Sequence, residues 1–87
     1  MISNRGKDWM EFAAQVLDHI EDYTVPQYGD SPDDYVESWT AAECVLALGK
    51  YQQRFGKNAR AGEAARDLLK MAHFAQLASD KLEDTYV

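Results

Sequence analysis

Three stretches of the chain carry apolar residues at three- and four-residue steps, the spacing that gathers them on one face of a helix. The first runs from about Asp8 to Asp22, with Trp9, Phe12, Ala13, Val16, Leu17 and Ile20 on one side. Gln15, Asp18, Glu21 and Asp22 fall mainly on the other. Asp8 and Glu11 have the spacing of a capping box, which predicts a start there and fraying over residues 1–7. The second stretch follows Thr40-Ala41-Ala42-Glu43, another capping box. Cys44, Val45, Leu48, Tyr51, Gln52 and Phe55 continue its stripe up to Gly56, which can take the left-handed conformation that ends a helix. The third spans Gly62 to Leu82, with Ala65, Leu68, Leu69, Ala72, Ala75, Gln76 and Ser79 in line. Its alanines favour helix and allow close approach, either within the molecule or along a dimer seam between copies.

Between the first two helices the pattern breaks. Tyr23 to Tyr35 contains Pro26, Pro32, Gly29 and a run of aspartates, which predicts a connection. Tyr23, Val25, Tyr28 and Tyr35 make it apolar enough to pack back on the domain. Ser31 and Pro32 have the form of an N-cap and first helical residue, which places a short turn of helix at Pro32 to Ser38. The expected fold is therefore all-α. It is a compact bundle of three main helices with a structured loop containing Tyr, Pro and Gly, in a single domain over residues 1–87 with 83–87 frayed. Trp9, Phe12, Val16, Ile20, Trp39, Val45, Leu48, Tyr51, Phe55, Leu68, Leu69, Ala72 and Ala75 are the expected core.

Composition narrows the function. The chain has 87 residues, 46% of them hydrophobic, which suits one small globular domain. No apolar run approaches the ~20 residues of a membrane helix, and no signal core follows Met1, so a cytoplasmic protein is expected. Cys44 is the one cysteine, which excludes an internal disulfide and a multi-cysteine zinc site. Set among apolar neighbours on a helix, it reads as a small core residue rather than a nucleophile. His73, beside Phe74, likewise reads as a packing residue. Glycine-rich phosphate loops and serine elbows are missing, and no cofactor is expected.

Charge is unevenly distributed. The net charge is −6. From Asp8 to Gly49 the chain holds acids and no Lys or Arg, whereas Lys50, Arg54, Lys57, Arg60, Arg66 and Lys70 crowd the segment that follows. The two halves either neutralise one another or face charged partners. Asp18, His19 and Asp22 have the helical spacing of metal ligands, and Glu43, Glu63 or Asp67 on a facing helix would have to complete such a site. That arrangement is the basis of one alternative, a metal-dependent helical carboxylate enzyme acting on nucleotides. Asp30, Asp33, Asp34 and Glu37 are rich in oxygen but lack the spacing of an EF-hand, and capping of the next helix explains them. Lys50, Arg54, Lys57, Arg60, Arg66 and Lys70, interleaved with Tyr51 and Phe55, raise a second alternative, nucleic-acid binding through the basic 50–70 segment. The acidic net charge and the place of both aromatics on the apolar stripe argue against it.

Several strings together resemble small bacteriophage- and prophage-encoded proteins. They are HIEDYTVPQYGD from His19 to Asp30, Pro32-Asp33-Asp34, Trp39, Gly49-Lys50-Tyr51, Arg54-Phe55-Gly56-Lys57-Asn58, and DLLKMAH from Asp67 to His73. The resemblance implies a cytoplasmic protein of phage or prophage origin and carries no activity or catalytic residue with it. The reading that best fits these features is a non-enzymatic protein–protein interaction module. Its acidic helical surface, with Asp18, Glu21, Asp22, Tyr23, Tyr28 and Asp30, would meet a host or phage protein. Homo-oligomers are compatible with this reading; a membrane is not.

Overall fold

The structure, a computed structural model, describes residues 1–30, 34–57 and 60–82. The fold is all-α, with no strand among the described residues. Contacts divide the chain into two compact units, Met1–Pro32 and Asp33–Val87. Among the described residues, no helix is long and apolar enough to cross a membrane.

The first unit opens with α1, Asn4–His19. It starts four residues before the expected Asp8, because Ser3 is the N-cap and its hydroxyl accepts from the Gly6 N–H at 3.0 Å. Residues 4–7 thus form the first turn rather than a frayed end. An oxygen acceptor at the N-cap is enough to start the helix, and the Asp8–Glu11 pair then falls inside it.

The expected connection after Asp22 is helical instead. A π turn, Ile20–Thr24, leads directly into α2, Val25–Tyr28. Pro26 accounts for the widened turn. A proline has no N–H to give, and its ring collides with the carbonyl four residues back in regular α geometry. Shifting to the i→i−5 register, as the Val25 N–H does by donating to the Ile20 carbonyl, relieves both problems. Helix then continues to Tyr28 and stops at Gly29, whose φ of +92° is a conformation that side-chain-bearing residues rarely adopt.

The second unit holds a short α3, Asp34–Glu37, followed by α4, Ala41–Arg54, and α5, Glu63–Lys81. The expected turn near Pro32–Ser38 is present as α3. Ser31, Pro32 and Asp33, to which the cap and part of the acidic loop were assigned, lie outside the described residues, as do residues 83–87. Both halves of the Thr40–Glu43 capping box are formed. The Glu43 N–H donates to Thr40 Oγ1 at 3.1 Å and the Thr40 N–H donates to Glu43 Oε1 at 3.0 Å. Gly56 ends α4 at φ +78°, and Gly62 caps α5 at φ +80°.

α4 and α5 pack as an antiparallel hairpin. Arg54 at the end of α4 meets Asp67 near the start of α5, while Lys81 at the far end of α5 donates to the Glu37 carbonyl at 3.2 Å. The seam departs from the expected stripes. On α5 it follows Glu63, Asp67, Phe74 and Ala78, and Ala65, Leu68, Ala75, Gln76 and Ser79 are exposed. On α4 the expected Cys44, Leu48 and Tyr51 do face inward, but Val45 and Phe55 are 58% and 45% exposed. Trp9 in the first unit is also exposed. The physical reason is that charged partners occupy one end of the seam, so apolarity does not mark the buried face there. Farther along, Cys44 is fully buried and Ala78 nearly so, small side chains that let two backbones come close.

Candidate functional site

Two groups of charged residues differ in how the fold treats them. The first lies at the loop end of the α4–α5 hairpin, beside the connection between the two helices. Asp67, 1% exposed, accepts from Arg54 Nε at 3.3 Å through Oδ1 and at 3.2 Å through Oδ2, and from Arg54 Nη2 at 2.6 Å through Oδ1. Glu63 stands beside this pair, 3.6 Å from Arg54 Nη2 and 3.1 Å from Arg66 Nη1. Arg54 donates through its Nε–Nη2 edge, the planar geometry that suits a carboxylate. These hydrogen bonds hold the Asp67 carboxyl below the ordinary carboxylate range, against the opposing effect of burial. The same hydrogen bond raises Arg54 further into its charged form.

Next to this ion pair, Tyr51 is ringed by cations from both helices. Lys50 Nζ lies 5.3 Å, Arg54 Cζ 4.8 Å and Lys70 Nζ 5.4 Å from its ring centroid, distances at which a positive charge is drawn to the π system. Phe74 stacks on Tyr51 at 5.9 Å, and Trp39 stacks on Phe74 at 6.2 Å. Of the expected basic patch, the fold therefore gathers Lys50, Arg54 and Lys70 at Tyr51. Lys57 and Arg60 sit exposed in the connection between the helices. His73 is half-buried, and desolvation lowers its pKa from 6.5. Cys44, fully buried, is the small core residue that its neighbours suggest.

The second group is the acidic end of the helical run in the first unit. Asp18, Glu21 and Asp22 are all exposed. The unit's lysine and arginine, Lys7 and Arg5, lie eleven or more residues earlier, about 16 Å along a helix at 1.5 Å per residue. That exceeds the ~8 Å screening length at physiological salt, so these cations do not offset the three carboxylates. His19 stacks on Tyr23 at 5.1 Å with an interplanar angle of 18°. Tyr23 is half-buried, Tyr28 is 60% exposed and Asp30 is exposed. Among the described residues, no group of three or more His, Cys, Asp or Glu side chains is placed to hold a metal ion. Of the residues offered to complete such a site, Glu63 and Asp67 are engaged by arginines and Glu43 caps α4.

Sequence reasoning missed the Arg54–Asp67 pair and the burial of Glu63 and Asp67. The one available signal was that Glu63, Asp67, Lys70, Phe74 and Ala78 themselves follow three- and four-residue steps, a stripe hidden by its polar first half. Comparison with family models, curated proteins and solved structures finds no match for this chain.

Proposed function

We propose that the chain is a non-enzymatic protein-interaction module whose acidic helical surface, centred on Asp18, Glu21 and Asp22, docks on a basic protein. The observation that carries this reading is the contrast between the two acidic groups. Glu63 and Asp67 are buried against arginines of their own hairpin, whereas Asp18, Glu21 and Asp22 stand exposed with no lysine or arginine within a screening length in their unit. Acids clustered on one surface repel each other, and a cationic partner relieves that repulsion. Exposed Trp9, Met10 and Leu17 on the same helix add apolar area of the kind interfaces use. The resemblance to phage and prophage proteins supports a bacterial host or phage protein as that partner.

The test is capture from bacterial lysate by the tagged native chain and by an Asp18→Asn/Glu21→Gln/Asp22→Asn variant, over a salt series. Steering by charge predicts that the native chain retains a basic protein whose binding falls steeply with salt, and that the variant loses it. Capture of the same protein by both forms, with equal salt dependence, overturns the proposal.

A further inference from the structure

We infer that α1 is the seam of a homodimer, in which the same helix of a second copy lies antiparallel along its apolar stripe. This goes beyond docking on a basic protein. The second copy takes the stripe, while Asp18 and Asp22 lie on the opposite side of the helix and stay open to a cationic partner. From Asn4 to Tyr28 the helical run buries none of its residues. Trp9 is 62%, Met10 54% and Leu17 56% exposed, and Phe12, Val16 and Ile20 are only half-buried. A helix of this length owes most of its stability to packing of its apolar face. Contiguous apolar area left in water marks an interaction surface.

The stripe is complementary to itself. Gly6, Trp9, Ala13, Val16 and Ile20 follow at steps of three, four, three and four residues, the spacing at which two helices interlock. Antiparallel alignment in that register sets Trp9 of each copy opposite Ile20 of the other, and Ala13 opposite Val16. Each pair then occurs twice, as a two-fold interface requires. Ala13, next to the two-fold axis, lets the helices come close. Charge sets the direction. Arg5 and Lys7 are exposed in the first turn of α1, and Asp18, Glu21 and Asp22 are exposed at and just beyond its other end. A parallel pair would set acids beside acids. The antiparallel pair brings Lys7 of one copy level with Asp22 of the other, next to Glu21, and Arg5 within one turn of them. Cations about 16 Å from the acids within one copy thus meet the acids of the second. Opposite charges along the flanks of a seam fix its orientation.

The experiment is sedimentation equilibrium of the full chain over a concentration series, beside a Trp9→Gln/Leu17→Gln variant. The native chain should show a monomer–dimer equilibrium. The variant's dissociation constant should rise about 100-fold or more, because a two-fold interface loses each apolar contact twice. Both positions are exposed in the single chain, so the substitutions leave its own packing intact. Leu17→Gln alone serves if the double variant does not fold. Mild oxidation reads the direction, Cys44 being fully buried. Equimolar Ala13→Cys and Val16→Cys chains should join in a mixed disulfide. Ile20→Cys chains should not join one another, because antiparallel helices hold those two positions about 16 Å apart along the axis. A native chain that stays monomeric throughout the series overturns the proposal and leaves the stripe to a different protein. So does a dimer that the Trp9→Gln/Leu17→Gln variant forms equally well, since its seam lies elsewhere. Efficient cross-linking between Ile20→Cys chains overturns the antiparallel arrangement.

Discussion

Replacing Asp67 with Asn keeps the shape of the side chain and removes its charge, which makes it a sharp test of how the hairpin is held. The native carboxylate is 1% exposed and takes three N–H contacts from Arg54, the shortest at 2.6 Å. A hydrogen bond to a charged group contributes about 1.5–3 kcal/mol. Breaking a fully buried ion pair costs about 3–5 kcal/mol, because the remaining charge has no compensation. Here the remaining charge would be Arg54, whose side chain is 39% exposed, so water can reach it and the cost falls toward the lower range. The asparagine oxygen also keeps one acceptor. The expected loss is therefore about 2 kcal/mol, or about 8–16 °C in Tm for a domain of this size. Thermal and urea unfolding followed by far-ultraviolet circular dichroism measure it directly.

The reciprocal change, Arg54→Gln, strands the buried carboxylate and should be the more damaging of the two. The dependence on pH supplies a second check. The folded-state pKa of Asp67 lies below its ordinary value of 3.8, so its stabilisation is fully present above that value. It is lost as pH falls through the lower, folded-state value. The Asn variant should lack this part of the acid-side decline. A loss under about 0.5 kcal/mol at pH 7, typical of a surface substitution, would refute the reasoning. So would an Arg54→Gln variant more stable than Asp67→Asn.

Two further expectations concern single residues. Thr40→Ala removes one half of the formed capping box and should cost about 1 kcal/mol in urea unfolding, with Thr40→Ser recovering most of it. Half-buried His73 is shifted below 6.5 by desolvation, so its contribution is complete above pH 6.5 and declines as pH falls through its folded-state value. His73→Gln should flatten that part of the stability profile in unfolding curves taken from pH 7.5 to 5.

Local chemistry in the sequence was sufficient for several features. The Thr40–Glu43 box, Gly56 and Gly62 act within a few residues of where they stand, so α4 and α5 begin and end where the pattern places them. The all-α class follows from three amphipathic periods, and the burial of Cys44 from its apolar neighbours. The exposed acids at Asp18, Glu21 and Asp22 were equally legible, because a solvated helix face needs no distant partner. Other features depended on residues that meet only on folding. Pro26 signals a break, but whether helix stops or widens into a π turn depends on the carbonyls behind it and on how far the chain can run before Gly29. The seam of α5 was placed only in part, with Leu69 and Ala72 half-buried but Leu68 and Ala75 exposed, because its first half is Glu63 and Asp67, and charge ordinarily marks the solvent side. Only the arrival of Arg54, thirteen residues from Asp67, makes burial of that carboxylate favourable. Lys70 joins Lys50 at Tyr51 for the same reason: the antiparallel hairpin sets their helices side by side, and no spacing within either helix encodes that meeting.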